Sequence, residues 1–243
     1  MLRFPKWRRD GRPIAIRLYI LLAAVLCCSM PMGTVSAETL TVPANELKSL
    51  FDHTMPYRGQ TFMLPETVRA DKLTVFISPS IFQAFSFHLL LTEVDTANGL
   101  HPTRVLFESG PLDIPRGASD ILPRTADLGG IELTGGQVYA FILDIFVTLR
   151  EIGPDPATLW QYATLTGMNR EAAYTGGEHI SLTVDCEDPL TGLPCGDREN
   201  HFTASWTVEE AEDMGFILEY NTIPIPPQIP IVPALELLLL KNN

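Results

Sequence analysis

From about residue 60 the apolar positions recur at every second residue, the spacing of a strand with one buried face, and no sustained helical stripe appears. Phe85, Phe87, Leu89 and Leu91 alternate with Ser86, His88, Leu90 and Thr92, which puts one strongly apolar face on a strand. Residues 138–147 form a longer run, β-branched and aromatic, of the kind found in a central strand. Shorter strands are predicted at 61–64, 73–77, 105–108, 159–165, 179–184, 202–208 and 215–220. Turn pairs separate them: Asn98-Gly99, Gly110-Pro111, Gly129-Gly130, Gly135-Gly136 and Gly176-Gly177. About nine short strands with regular turn signals predict an all-β chain, a jelly-roll-like β-sandwich over residues 38–222. Residues 45–51 and 209–213 each suit one or two helical turns.

The two ends depart from this pattern. Arg3, Lys6, Arg8, Arg9, Arg12 and Arg17 precede an apolar run from Leu18 to Cys28, and Val35-Ser36-Ala37 follows with small residues in cleavage spacing. That order predicts a secretory signal peptide over 1–37, with Glu38 as the first mature residue and a secreted, periplasmic or surface location. The apolar run is about half the ~20 residues that span a bilayer, so a membrane anchor fits less well. A lipoprotein reading would use Cys27 or Cys28, but bulky Leu26 stands where a small residue is needed. At the far end, residues 223–243 form a Pro-rich tail. Ile223-Pro-Ile-Pro-Pro-Gln-Ile-Pro-Ile-Val-Pro233 predicts an extended polyproline-like stretch running into Ala234-Leu-Glu-Leu-Leu-Leu-Leu240. Seven residues with a glutamate among them cannot span a membrane, so no stable transmembrane anchor is expected in the mature chain.

Charge narrows the partners. The 243-residue chain has 17 basic and 29 acidic residues, a net charge of −12. Removing the six basic and one acidic groups of residues 1–37 leaves 11 and 28, a net charge of −17. Such a surface excludes binding by phosphate neutralisation, so nucleic acid is not an expected partner. Only Cys186 and Cys195 remain after cleavage, flanking a loop turned by Pro189, Gly192 and Pro194. In an oxidising compartment they predict a disulfide, since two thiolates without a nearby His pair fall short of a zinc site. Asp185, Glu187, Asp188, Asp197 and Glu199 crowd the same loop, and calcium is the cofactor such oxygens would hold; the competing reading is a solvated acidic loop.

Catalytic signatures are missing. The sequence has no Gly-x-Ser-x-Gly elbow, no His-Glu-x-x-His, no phosphate loop and no dinucleotide fingerprint. His53, His88, His101, His179 and His201 are scattered without ligand spacing. A carboxylate pair on facing strands, Asp144 and Glu178 for example, would be needed for glycoside hydrolysis. Trp160, Tyr162, Tyr174 and Trp206 are candidate stacking platforms for a glycan, although alternation places about half of a strand's aromatics in the core. Two readings result. One is an exported, non-enzymatic surface or extracellular-matrix protein, structural or binding an extracellular polysaccharide. The alternative is a secreted carbohydrate-active hydrolase on the same scaffold.

Read in order, Gly59-Gln-Thr-Phe62, Phe85-Ser-Phe87, Leu106-Phe-Glu-Ser-Gly-Pro-Leu112, Leu133-Thr-Gly-Gly-Gln-Val-Tyr-Ala-Phe141, Ala173-Tyr-Thr-Gly-Gly177 and Gly215-Phe-Ile-Leu218 form a series of blocks. Together they resemble the exported bacterial β-sandwich proteins of the PEP-CTERM-associated type. The resemblance covers roughly residues 59–221 and implies a jelly-roll-like sandwich on the cell surface or in the matrix, with no catalytic residues to transfer. Val232-Pro233-Ala-Leu-Glu236 faintly resembles that family's sorting tail, in a degenerate or truncated form with a short apolar part and one lysine, Lys241, in place of several basics.

Overall fold

In the structure, a computed structural model, the alternation across 85–91 becomes an eleven-residue inner strand of a sheet. Residues 36–97, 99–117, 120–153, 156–169, 174–183, 196–204, 206–209 and 212–223 are described, with backbone alone at 49–51. In chain order the strands are β1 (Ala37–Val42), β2 (Glu46–Phe51), β3 (Tyr57–Met63), β4 (Val68–Ile77), β5 (Phe85–Asp95), β6 (His101–Glu108) and β7 (Leu112–Ile114). They continue as β8 (Leu122–Leu133), β9 (Val138–Asp144), β10 (Thr164–Asn169), β11 (His179–Leu182), β12 (Thr207–Glu209), β13 (Asp213–Met214) and β14 (Phe216–Thr222). Among the described residues, two short helices, α1 (Phe146–Ile152) and α2 (Arg198–Phe202), and a 3-10 turn at Pro156–Gln161 are the remaining elements.

The strands form two antiparallel sheets. One carries β1-β14-β4-β10-β13, with β8 beside β4 and β2 beside β10; the other carries β12-β11-β3-β9-β5-β6, with β7 beside β5. Eight strands give the architecture. Number β1, β3, β4, β5, β6, β8, β9 and β14 from one to eight: the first sheet then reads 1-8-3-6 and the second 2-7-4-5. Each early strand pairs with a late one in reverse order, β1 with β14, β3 with β9, β4 with β8 and β5 with β6. A long hairpin rolled up in this way is the double Greek key of a jelly roll. The all-β sandwich is therefore the fold of this chain.

The core lies between the sheets, where Phe62, Phe87, Phe141 and Phe216 are fully buried. The second sheet is also covered on its outer face, and this explains its unbroken apolar runs. Between β9 and β14 the chain departs from the eight-strand plan. The inserted segment adds β10 and β13 to one sheet and β11 and β12 to the other, and lays Phe146 of α1 and Phe202 of α2 against Tyr57, Leu90 and Ile142.

Several sequence expectations are corrected by long-range packing. The run 138–147 is not one strand. Its strand stops at Asp144, whose Oδ1 accepts the Phe146 N–H at 2.9 Å and turns the chain into α1. The apolar pattern persists because Phe146 and Leu149 pack inward from that helix. Residues 45–51 make no helical turn; 46–51 pair with β10 as a strand instead. Gly129-Gly130 is a bulge inside β8 with φ of +66° and +77°, not a turn between elements, so a twelve-residue strand went unpredicted. Of 159–165, residues to Gln161 form the 3-10 turn and the strand starts at Thr164. In 202–208, Phe202 closes α2 and only Thr207–Glu209 is strand. Glu209 ends β12 and Asp213 opens β13, where a helical turn was expected. The signal peptide and the Pro-rich tail lie outside the described residues, apart from Ser36, Ala37 and Ile223.

Candidate functional site

Two clusters stand out. The first is a row of polar side chains across the outer face of the second sheet. Tyr57, Asp144 and His88 are register partners on β3, β9 and β5, and Glu108 lies on β6 beside them. Arg198 descends from α2 and closes the row. Its Nη1 and Nη2 donate to the two oxygens of Glu108 at 2.8 and 2.9 Å, and its Nε donates to Asp144 Oδ2 at 2.8 Å. His88 Nδ1 is 3.2 Å from Glu108 Oε1. Tyr57 Oη and His201 Nδ1 share a 2.9 Å hydrogen bond.

The electrostatics describe a fastening. Burial raises the Asp144 carboxyl against the pull of Arg198 and two backbone N–H groups. Hydrogen bonds from Arg198 hold Glu108 below the usual carboxylate range despite its partial burial. Burial works to lower Arg198, but Glu108 and Asp144 outweigh it and raise that guanidinium further. Both carboxylates share one cation, so the row ties the inserted segment to the end of the central strand.

Inside the sandwich a second polar set links the sheets. Gln60 donates to Asp213 at 3.0 Å and accepts the Met214 N–H at 2.9 Å. Buried Arg58 meets His179 Nε2 at 3.3 Å, while His179 Nδ1 has no partner among the described residues. Burial, and then the Arg58 charge, push His179 down to about 3.

The other cluster is apolar and open. Trp160, from the 3-10 turn, meets Phe82, from the loop after β4, edge to face with ring centres 4.7 Å apart and planes at 81°. Ile81 is 64% exposed, Trp160 53% and Phe82 36%. Their loop is held by Ser80, whose N–H donates to Pro115 O at 2.9 Å and whose carbonyl accepts the Gly117 N–H at 3.1 Å. Beside the rings a notch of about 200 Å³ is lined by Ser78, Pro79, Ile81, Phe82, Thr164 and Leu165, together with Ala163.

Its hydroxyls are already engaged. Thr164 Oγ1 donates to Ser78 O at 2.6 Å, the Ser78 and Thr164 hydroxyls bond at 2.9 Å, and Leu165 N–H donates to Ser78 Oγ at 3.1 Å. The Trp160 indole N–H is likewise held by Ala157 O at 3.0 Å. The notch therefore offers apolar contact and few free hydrogen-bonding groups.

The residues singled out from sequence disperse. Cys186, Cys195, Asp185, Glu187 and Asp188 lie outside the described residues, and with them the disulfide expected between the two cysteines. Asp197 caps α2, its Oδ1 accepting the Asn200 N–H at 2.9 Å, and exposed Glu199 lines an open groove of about 780 Å³ between β6 and α2. Among the described residues no group of three His, Cys, Asp or Glu side chains is placed to hold a metal ion.

Of the four aromatics, Trp160 alone is exposed. Tyr162 is 8% exposed and packs edge-on against Phe85, Tyr174 packs against Phe216, and Trp206 lies half-buried 6.0 Å from both Tyr57 and Phe202. These three pack against neighbouring rings. Asp144 and Glu178 do not form a pair: Glu178 O accepts the Thr61 N–H, four residues along β3 from Asp144's partner Tyr57, about 13 Å at strand rise.

Sequence reasoning missed Phe82 and Arg198. Phe82 carried one usable signal, two large apolar residues following Pro79-Ser80 where a loop is expected. Arg198 carried none, because its partners are 54 and 90 residues away.

No protein-family model and no curated protein matches this sequence. A solved structure of infectious bursal disease virus, Gx strain, aligns over 85% of this chain at 9% identity with a TM-score of 0.26; the chain spans 50% of that structure's length. Among the described residues no helix is long and apolar enough to cross a membrane.

Proposed function

We propose that this chain is an exported, non-enzymatic surface or matrix module, a jelly roll that meets its partner through the Trp160–Phe82 notch. The observation that supports this is the gathering of Ile81, Phe82 and Trp160 at one exposed place, while Met63, Val105, Ile152 and Val208 sit on separate elements. The notch favours an apolar side chain over a sugar. Its two rings form a corner rather than a flat row, and its hydroxyls are bonded to the protein itself. A polysaccharide is the second reading, supported by the exposed indole face of Trp160.

Expression of the full chain with its own N-terminus is the test. The expected product begins at Glu38 and fractionates with the cell surface, and Phe82→Ala with Trp160→Ala lowers that retention several-fold. Retention unchanged by the double substitution overturns the notch as the contact. A cytoplasmic product retaining residues 1–37 overturns export. An array of extracellular polysaccharides, screened with and without calcium, reads the second possibility on the same protein.

A further inference from the structure

We propose that the apolar segment at residues 234–240 of this same chain is the occupant of the Trp160–Phe82 notch. The inference rests on the reading of the notch as a contact site and names what fills it in the free protein, before the surface partner displaces it. Three observations converge. The first is size and polarity. At about 200 Å³ the notch is smaller than the roughly 300–1,000 Å³ of small-molecule sites, and its hydroxyls and the indole N–H are already bonded. It suits aliphatic side chains delivered by a polypeptide.

The second is distance. The tail leaves β14 where Thr222 pairs with Val68, at one end of β4. The notch begins at Ser78, immediately after the other end of β4 at Ile77. Those ten residues of strand span about 33 Å at ~3.3 Å per residue. Residues 224–233 contain five prolines, and an extended polyproline stretch of that length covers about 31 Å at ~3.1 Å per residue. Because β14 runs antiparallel to β4, the chain leaves it directed away from the notch and must fold back. Residues 225–240 then reach about 50 Å at ~3.1 Å per residue, enough to bring Leu237 to Leu240 to the notch.

The third is the path between. Arg69 and Lys72 are exposed on β4, a polar face over which a polyproline chain can keep its carbonyls hydrated. Proline-rich sequence favours extension before binding, which reduces the ordering that docking requires.

Hydrogen exchange measured by mass spectrometry tests this on the full chain. Amides of 79–84 and 157–163 are expected to exchange at least about ten-fold more slowly in the wild type than in a Leu238→Asp, Leu239→Asp variant. A synthetic peptide of residues 224–243 should restore protection to that variant, and Phe82→Asp should abolish it with the tail intact. Equal exchange in wild type and leucine variant overturns the proposal. Protection that fades on dilution, with a doubled mass at high concentration, assigns the notch to a second copy and also overturns it. Surface retention of the leucine variant separates the two ideas: retention that still depends on Phe82 and Trp160 leaves the notch as a contact site while removing the tail from it.

Discussion

Arg198 donates its Nε–H to Oδ2 of Asp144 at 2.8 Å, joining the first residue of α2 to the last residue of the central strand β9. Asp144 is fully buried, and its other oxygen caps the turn into α1. One carboxylate thus holds both helices against the sheet.

Removing the cation leaves that carboxylate buried and uncompensated. Arg198→Met is expected to destabilise the fold by about 3–5 kcal/mol, and Glu108→Gln, at the more exposed end, by about 1 kcal/mol or less. Denaturant midpoints check the ranking. Equal losses at the two positions would show that Asp144 does not depend on Arg198.

Acid should weaken the fold before the carboxylates titrate. His179 is pushed down to about 3, whereas an unfolded histidine takes its proton near pH ~6.5. The unfolded chain therefore binds a proton that the folded chain refuses. The stability from His179 is complete above about 6.5 and drains as pH falls towards 3. Between pH 7 and 5 this amounts to about 2 kcal/mol. Lower down, Glu108 adds to the loss, and Asp144, raised by burial, opposes it. A His179→Gln variant should flatten the slope of stability between pH 5 and 7; a slope identical to wild type would sink the assignment.

Phe141 is fully buried, with its ring centre 5.1 Å from that of Phe216 on the opposite sheet. Phe141→Ala is expected to cost about 3–5 kcal/mol, lowering the thermal midpoint by several degrees. Calorimetry on the two proteins decides it.

Gly59 lies in β3 between β9 and β11, and a Cβ there would press into the carbonyl oxygen of Phe141. Its backbone is ordinary strand, so the constraint is space. Gly59→Ala should destabilise by about 1–3 kcal/mol, as overpacking does. A neutral substitution would mean that the two strands can separate locally.

The jelly roll was legible because β5 and β9 state their burial in their own sequence. Phe85 to Leu91 alternate, and residues 139–144 are buried without a break. Irregular elements were not legible, because remote partners decide them. Residues 46–51 become a strand only where β10 supplies an edge, and Gly129-Gly130 bends β8 without ending it. Trp160 was recognisable as an aromatic of interest, but its exposure depends on a 3-10 turn. Tyr162, two residues later, points into the core.

The pairing of β1 with β14 sets an order of events during synthesis. Among the described residues, Ala37 to Val42 pair only with residues 216–221. The strand at 37–42 must therefore wait, edge unpaired, for the strand at 216–222. Closing so distant a contact is slow, and until then the ribosome-bound chain offers residues 37–42 to chaperones and proteases. The time between making Val42 and making Phe216 is the interval in which this protein is most vulnerable.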